Sequence, residues 1–209
     1  MHPALLLIAI LGQSPPLVVT PNWALLTNPT VQSALELSVP QTRAIFAIRS
    51  TATAILKRLS RKHSTPPAGE QSGPANPALP ALAKFGKALS RSKQARLGQI
   101  TLQAYGPHVI QAPGVGKALG LSVADVNRIT KAQATAAAPY DEKVRLYAVA
   151  HPAPTSTVKG AGVVPVETPE LRQMYDERDA KQTEVLKQSL TQEQNDRLAK
   201  MLGKPVKLN

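Results

Sequence analysis

The sequence predicts an all-α fold of helical hairpins or a bundle, joined by Pro-rich linkers. Three observations predict it. Apolar residues recur at alternating spacings of three and four. A helix-start motif is duplicated within the chain. Apolar residues make up 43% of the 209 but aromatics only 3%, so any core is built from Ala, Leu, Ile and Val, which suits close helix–helix packing. No stretch alternates like a strand. Residues 161–166 (AGVVPV) are apolar, but short and broken by proline.

Taken in order, residues 1–14 contain the apolar run Ala4–Leu11, followed by Gly12-Gln13-Ser14. The run is too short to span a bilayer and suits the core of a signal peptide, which predicts a periplasmic or secreted protein. Residues 22–61 hold the first motif copy and a basic helix, with Ile45, Ile48, Ala52, Ile55 and Leu59 on one stripe. Residues 62–80 read as a Pro/Ser/Gly-rich linker. Residues 81–209 read as a helical domain with the second and third copies. Its first helix is expected from about Leu82 to Tyr105, ended by Gly106-Pro107. Another starts after Ser122, and Pro139 is expected to break or kink it. Residues 152–167 read as a loop. Thr168-Pro169-Glu170 opens a further helix, with proline at its first turn. A short last helix follows Thr191 and stops at Gly203.

The repeat carries the most information. NPTVQSALELSVPQTRAI at 28–45 and APGVGKALGLSVADVNRI at 112–129 match at eight of 18 positions, at a constant offset of 84. Leu25-Leu26 and Val109-Ile110 correspond just upstream. A shorter echo, LTQEQNDRL, occupies 190–198. Each copy places leucine, then a hydroxyl, then a side-chain acceptor three residues later: Leu37, Ser38 and Gln41; Leu121, Ser122 and Asp125; Leu190, Thr191 and Gln194. That spacing predicts a capping box. The hydroxyl accepts from a first-turn N–H, the later side chain reaches back to the cap N–H, and the leucine staples the turn. Asp125, being short, is expected to close its box least well. The role of these nine residues is structural.

The formal charge of +12 is uneven. From Arg43 to Lys131 there are 14 basic residues against Glu70 and Asp125; from Asp141 onward, 11 against 10. A basic middle favours anionic partners, among them nucleic acid, anionic membrane surfaces, acidic polymers and acidic unfolded chains. The plain alternative is a solvated helix face. Arg49, Lys57, Arg58, Arg91, Lys93 and Arg96 are the candidate binding residues. Nucleic-acid stacking needs aromatics interleaved with cations, and residues 43–97 offer only Phe46 and Phe85.

LELSVPQ, LGLSVAD and SLTQEQ resemble the LTxxQ motif of Spy/CpxP-type periplasmic helical proteins. The wider pattern, with RLGQITLQAYGPHVIQAPGVGKALGLS leading into a hairpin and LTQEQNDRLAKMLGKPV closing the chain, is similar to secreted bacterial proteins sharing that motif. The resemblance implies a small helical envelope protein with a chaperone or envelope-stress role, whose partners would be unfolded or envelope proteins. The chain departs from it in the duplicated leading motif, Asp125, the long linkers and the scarcity of aromatics.

Catalytic patterns are weak. There is no cysteine, which excludes disulfides and thiolate chemistry. His2, His63, His108 and His151 are far apart and none pairs with a second ligand at helical spacing. Asp176, Glu177 and Asp179 lie within reach of Arg172, Arg178 and Lys181, as on a solvated, ion-paired helix face. Gly114-Val115-Gly116 lacks the remaining glycine of a dinucleotide loop. The expectation is a non-enzyme without metal or cofactor. The oligomeric state stays open, a homodimer included.

Overall fold

A computed structural model describes residues 19–62, 77–151 and 168–208; the expected signal peptide, most of the expected 62–80 linker and the whole expected 152–167 loop lie outside them. The fold is all-α, with no strand among the described residues. A 3-10 helix at Trp23–Thr27 is followed by α1 (Pro29–Ala34), α2 (Val39–Lys62), α3 (Ala78–Lys87) and α4 (Arg91–Gln103). A second 3-10 helix at Gly106–Gln111 is followed by α5 (Val115–Ala118), α6 (Val123–Ala150), α7 (Pro169–Ser189) and α8 (Gln192–Leu202).

That order is one unit used twice. At the offset of 84, 3-10 helix matches 3-10 helix, α1 matches α5 and α2 matches α6. The correspondence holds at single bonds. Leu37 N–H donates to Gln32 C=O (3.1 Å) and Leu121 N–H to Gly116 C=O (2.9 Å). Glu36 N–H donates to Ser33 C=O and Gly120 N–H to Lys117 C=O, at 2.9 and 3.0 Å. The pattern is a Schellman turn, and it needs a left-handed residue: Glu36 has φ +50° and Gly120 φ +72°. From 31 to 45 and from 115 to 129, burial agrees at 14 of 15 positions.

The second half of each unit matches too, at an offset of 101. Leu89-Ser90 opens α4 as Leu190-Thr191 opens α8, and Arg96-Leu97 falls on Arg197-Leu198. The helix expected over 82–105 is therefore two helices. Ser90 takes extended backbone (ψ 153°), and its hydroxyl accepts from Lys93 N–H at 3.4 Å. The 190–198 echo is thus the partner of 89–97, and the described residues hold four leucine–hydroxyl starts in two pairs.

Two apolar clusters follow the two units. The first joins Leu26, Val31, Leu35 and Ile45 to Leu82, Leu89, Leu97 and Ile100; the second joins Ile110, Val115, Leu119 and Ile129 to Leu186, Leu190 and Leu198. Six pairs are equivalent: Leu26/Ile110, Val31/Val115, Leu35/Leu119, Ile45/Ile129, Leu89/Leu190 and Leu97/Leu198. The expected division at residue 81 does not hold for the cores, because α3 and α4 bury their leucines against the first unit; α3 also begins inside the expected linker, at Ala78. The units are joined by α4 against α8 and by exchanged ends: Val206 and Leu208 pack on the first cluster, and Val19 on the second.

Trp23 lies over α3 at Gly86. A Cβ there would stand 2.2 Å from the ring, so glycine is what admits the indole. Pro139 does not break α6, which runs from Val123 to Ala150. Pro139 is exposed, and α7 packs along the helix from Gln182 to the Tyr147–Thr168 hydroxyl contact at 2.8 Å. Packing on α7 outweighs the roughly 3 kcal/mol that a mid-helix proline costs.

Glu36 occupies a backbone conformation that costs a side-chain-bearing residue roughly 1–2 kcal/mol, which exceeds the entropic cost of glycine, roughly 0.5–1 kcal/mol. Glu36→Gly should therefore raise the melting temperature by a few degrees, and Gly120→Ala should lower it. A thermal melt of both variants checks this; an unchanged or lower value for Glu36→Gly would remove the left-handed turn from the first unit.

Candidate functional site

The candidate surface is built on four helix starts. In the first, Ser38 N–H donates to Gln41 Oε1 (2.9 Å) and Gln41 N–H to Ser38 Oγ (3.4 Å). In the second, Ser122 N–H donates to Asp125 Oδ2 (3.2 Å) and Asp125 N–H to Ser122 Oγ (3.1 Å). In the last, Thr191 N–H donates to Gln194 Oε1 (2.9 Å) and Gln194 N–H to Thr191 Oγ1 (3.2 Å). The short Asp125 closes its box with the longest of the three reach-back bonds, and the Ser122 hydroxyl also donates to Oδ2 at 2.6 Å. Leu37 and Leu121 are half-buried beneath their caps, and Leu190 is buried.

The caps of a unit are tied to each other. Lys93, in the first turn of α4, donates from Nζ to Glu36 C=O (2.6 Å) and Gln41 Oε1 (3.4 Å). Its counterpart Gln194 donates from Nε2 to Leu119 C=O (3.1 Å). In both units the third residue of the later helix thus satisfies a carbonyl left open at the end of the short one.

The six candidate cations separate on this frame. Arg49, Lys57 and Arg58 are exposed on α2, and Arg91 is exposed at the start of α4. Lys93 and Arg96 are half-buried and serve the frame: Arg96 Nη2 donates to Lys204 C=O at 2.6 Å and Nη1 to Gln99 Oε1 at 3.0 Å. Gln103 holds the same tail, donating to Leu202 and Lys204 C=O and accepting from Val206 N–H at 2.8 Å. No local signal pointed to this clamp, which joins residues about a hundred positions apart.

The clamped tail, α1 and the start of α4 enclose an open groove of about 670 Å³ lined by Lys93, Arg96, Lys204 and Lys207, with Glu36 the one carboxylate among the described residues that line it. A cleft of about 270 Å³ lies between the first 3-10 helix, α2 and α3, with Arg49 in its wall. A mainly apolar groove of about 740 Å³ runs past Trp23, Leu102 and Met201. Among the described residues no three metal-ligating side chains converge, and no helix is long and apolar enough to cross a membrane.

Electrostatics distinguish the units. Residues 19–105 carry 11 basic and two acidic residues; residues 106–209 carry 14 and 11. The six ion pairs between described residues all lie in the second unit, and their side chains are mostly well exposed. Such solvent-screened pairs add little to stability, so their effect is to neutralise that surface rather than hold it together. Comparison with protein-family models, with curated proteins and with solved structures gave no match.

The Ser122 hydroxyl, and after it Arg128, holds the Asp125 carboxyl below its ordinary value of 3.8. A depressed carboxyl stabilises the fold above its unfolded value and loses that contribution as pH falls through the folded one. Asp125→Asn should therefore flatten the loss of stability below about pH 4. At neutral pH, Ser38→Ala combined with Thr191→Ala should lower stability by about 0.5–2 kcal/mol per cap. Urea melts across pH check both; an unchanged melt for the cap variants would remove the caps from the account.

Proposed function

We propose that the chain is an exported, non-catalytic helical binding protein of the chaperone-like or envelope-stress kind, whose first unit captures acidic segments of other envelope proteins. The observation that carries this reading is the unequal charging of one duplicated frame. The second unit intersperses acids and bases, as a solvated surface does. The first holds 11 bases against two acids and exposes Arg43, Arg49, Lys57 and Arg58 along α2. Phe46, 69% exposed on the same helix, adds an apolar contact within a cationic face. Export is supported by the Ala4–Leu11 run and by the likeness of the LTxxQ-type caps to the Spy/CpxP-type motif. A cap motif is a folding device, so the likeness alone assigns no client.

The competing reading is a polyanion binder acting at nucleic acid or at an anionic membrane surface, favoured by the same charge. Binding of the purified chain to a Glu-rich peptide, to a single-stranded oligonucleotide and to anionic vesicles, at about 0.05 M and about 0.5 M salt, separates the two. The proposal expects capture of the peptide, weakened but not abolished at high salt because Phe46 contributes contact that salt does not screen. Capture of the oligonucleotide or the vesicles alone would hand the function to the competing reading. No binding to any of the three would remove both.

A further inference from the structure

We infer that the groove between α1, the start of α4 and the C-terminal tail is the specific seat of an acidic peptide segment. This deepens the acidic-partner reading above and rests on it.

At the offset of 101, Ser92 corresponds to Glu193, Lys93 to Gln194 and Arg96 to Arg197. In the second unit Arg197 is ion-paired with Glu193, one turn earlier on the same helix. In the first unit Arg96 has a serine in that place, and its guanidinium is spent on carbonyl and amide oxygens. Those oxygens carry no net charge, so the cation is held in position but not neutralised. Lys93 is in the same state: its two bonds go to Glu36 C=O and Gln41 Oε1.

The tail adds two more cations. Lys204 and Lys207 are exposed on a backbone that Arg96 and Gln103 fix against α4, and neither ammonium group is bonded among the described residues. Among the described residues, the groove therefore gathers four cations against Glu36 alone, within about 670 Å³. Two are immobilised before any ligand arrives, which lowers the ordering cost of binding. The open volume turns the concentrated charge toward solvent, where complementary charge guides association.

The lining selects a peptide over a nucleic acid. It contains no aromatic side chain on which a base could stack. It does contain Thr30, Ser33 and Ser92 hydroxyls beside small apolar surfaces at Ala34, Pro205 and Val206. Carboxylates spaced along an extended chain meet the cations, and the intervening small side chains meet the apolar surface.

The test uses the full chain and a fluorescein-labelled peptide of alternating Glu and Ala, read by anisotropy. Lys204→Ser with Lys207→Ser removes the two exposed cations without touching the side chains that hold the frame. Arg43→Ser with Arg58→Ser removes the same charge from α2. The expected result is at least about a tenfold weakening for the tail pair and less than about threefold for the α2 pair, with unchanged melting curves. An unchanged affinity in the tail pair, or an equal loss in both pairs, overturns the groove while leaving an acidic partner for the first unit. Tighter binding of a length-matched oligonucleotide than of the peptide overturns the peptide assignment. Failure of the unaltered chain to bind the peptide at low salt overturns the groove and the acidic-partner reading together.

Discussion

The structure depends on one local device, a helix that ends in a left-handed turn and hands the chain directly to a new helix through leucine and a hydroxyl cap. A helix end leaves backbone groups without partners, and this device satisfies two ends within a few residues. In the first unit Glu36 and Leu37 donate back to α1 while Ser38 and Gln41 close the start of α2. The residues in between cannot drift, so the corner fixes which faces turn inward. Val31 and Leu35 before it and Ile45 after it fall into one core, and Val115, Leu119 and Ile129 repeat the arrangement. The long helices then need only a modest apolar stripe, which is why a chain with 3% aromatics can be built this way.

Duplication of that device left two units free to diverge wherever the corner does not constrain them. The hairpin of the second unit is long, α7 reaching along α6 past Gln182 to Thr168; α3 covers α2 with ten residues only. Gln133, buried in the second unit and donating to Pro107 and Gln182 carbonyls, corresponds at the offset of 84 to Arg49, which stands exposed at a cleft. Glu193 corresponds to Ser92. Each change leaves the corner intact and moves the first unit toward unbalanced positive charge. The same scaffold thus presents a neutralised surface on one side of the molecule's repeat and a cationic one on the other.

Where the physics is local, the sequence displays it. The caps at Ser38, Ser122 and Thr191 follow from a hydroxyl and an acceptor three residues apart, and the helices they open are where periodicity places them. The cap at Ser90 was hidden because Lys93 occupies the acceptor position, so no box is formed and the break within 82–105 leaves little trace. Pro139 carries a strong local signal for interruption, overridden by α7, a neighbour distant in sequence. The buried amides of Gln133 and Gln182 are illegible for the same reason: polar residues on a helix read as surface until the covering helix is known. Lys93 and Arg96 read as binding cations from composition, and only the tail, brought back by Arg96 and Gln103 over about a hundred residues, shows that they first hold the groove together.

The most direct test of the duplicated corner is amide hydrogen exchange at Leu37 and Leu121, the two N–H groups that close the equivalent Schellman turns. Both should exchange far more slowly than exposed amides, with similar protection, because each is bonded and opens only when its corner does. Protection at Leu121 with free exchange at Leu37 would contradict the account, since the first unit would then lack the turn on which its core and its cationic groove are built.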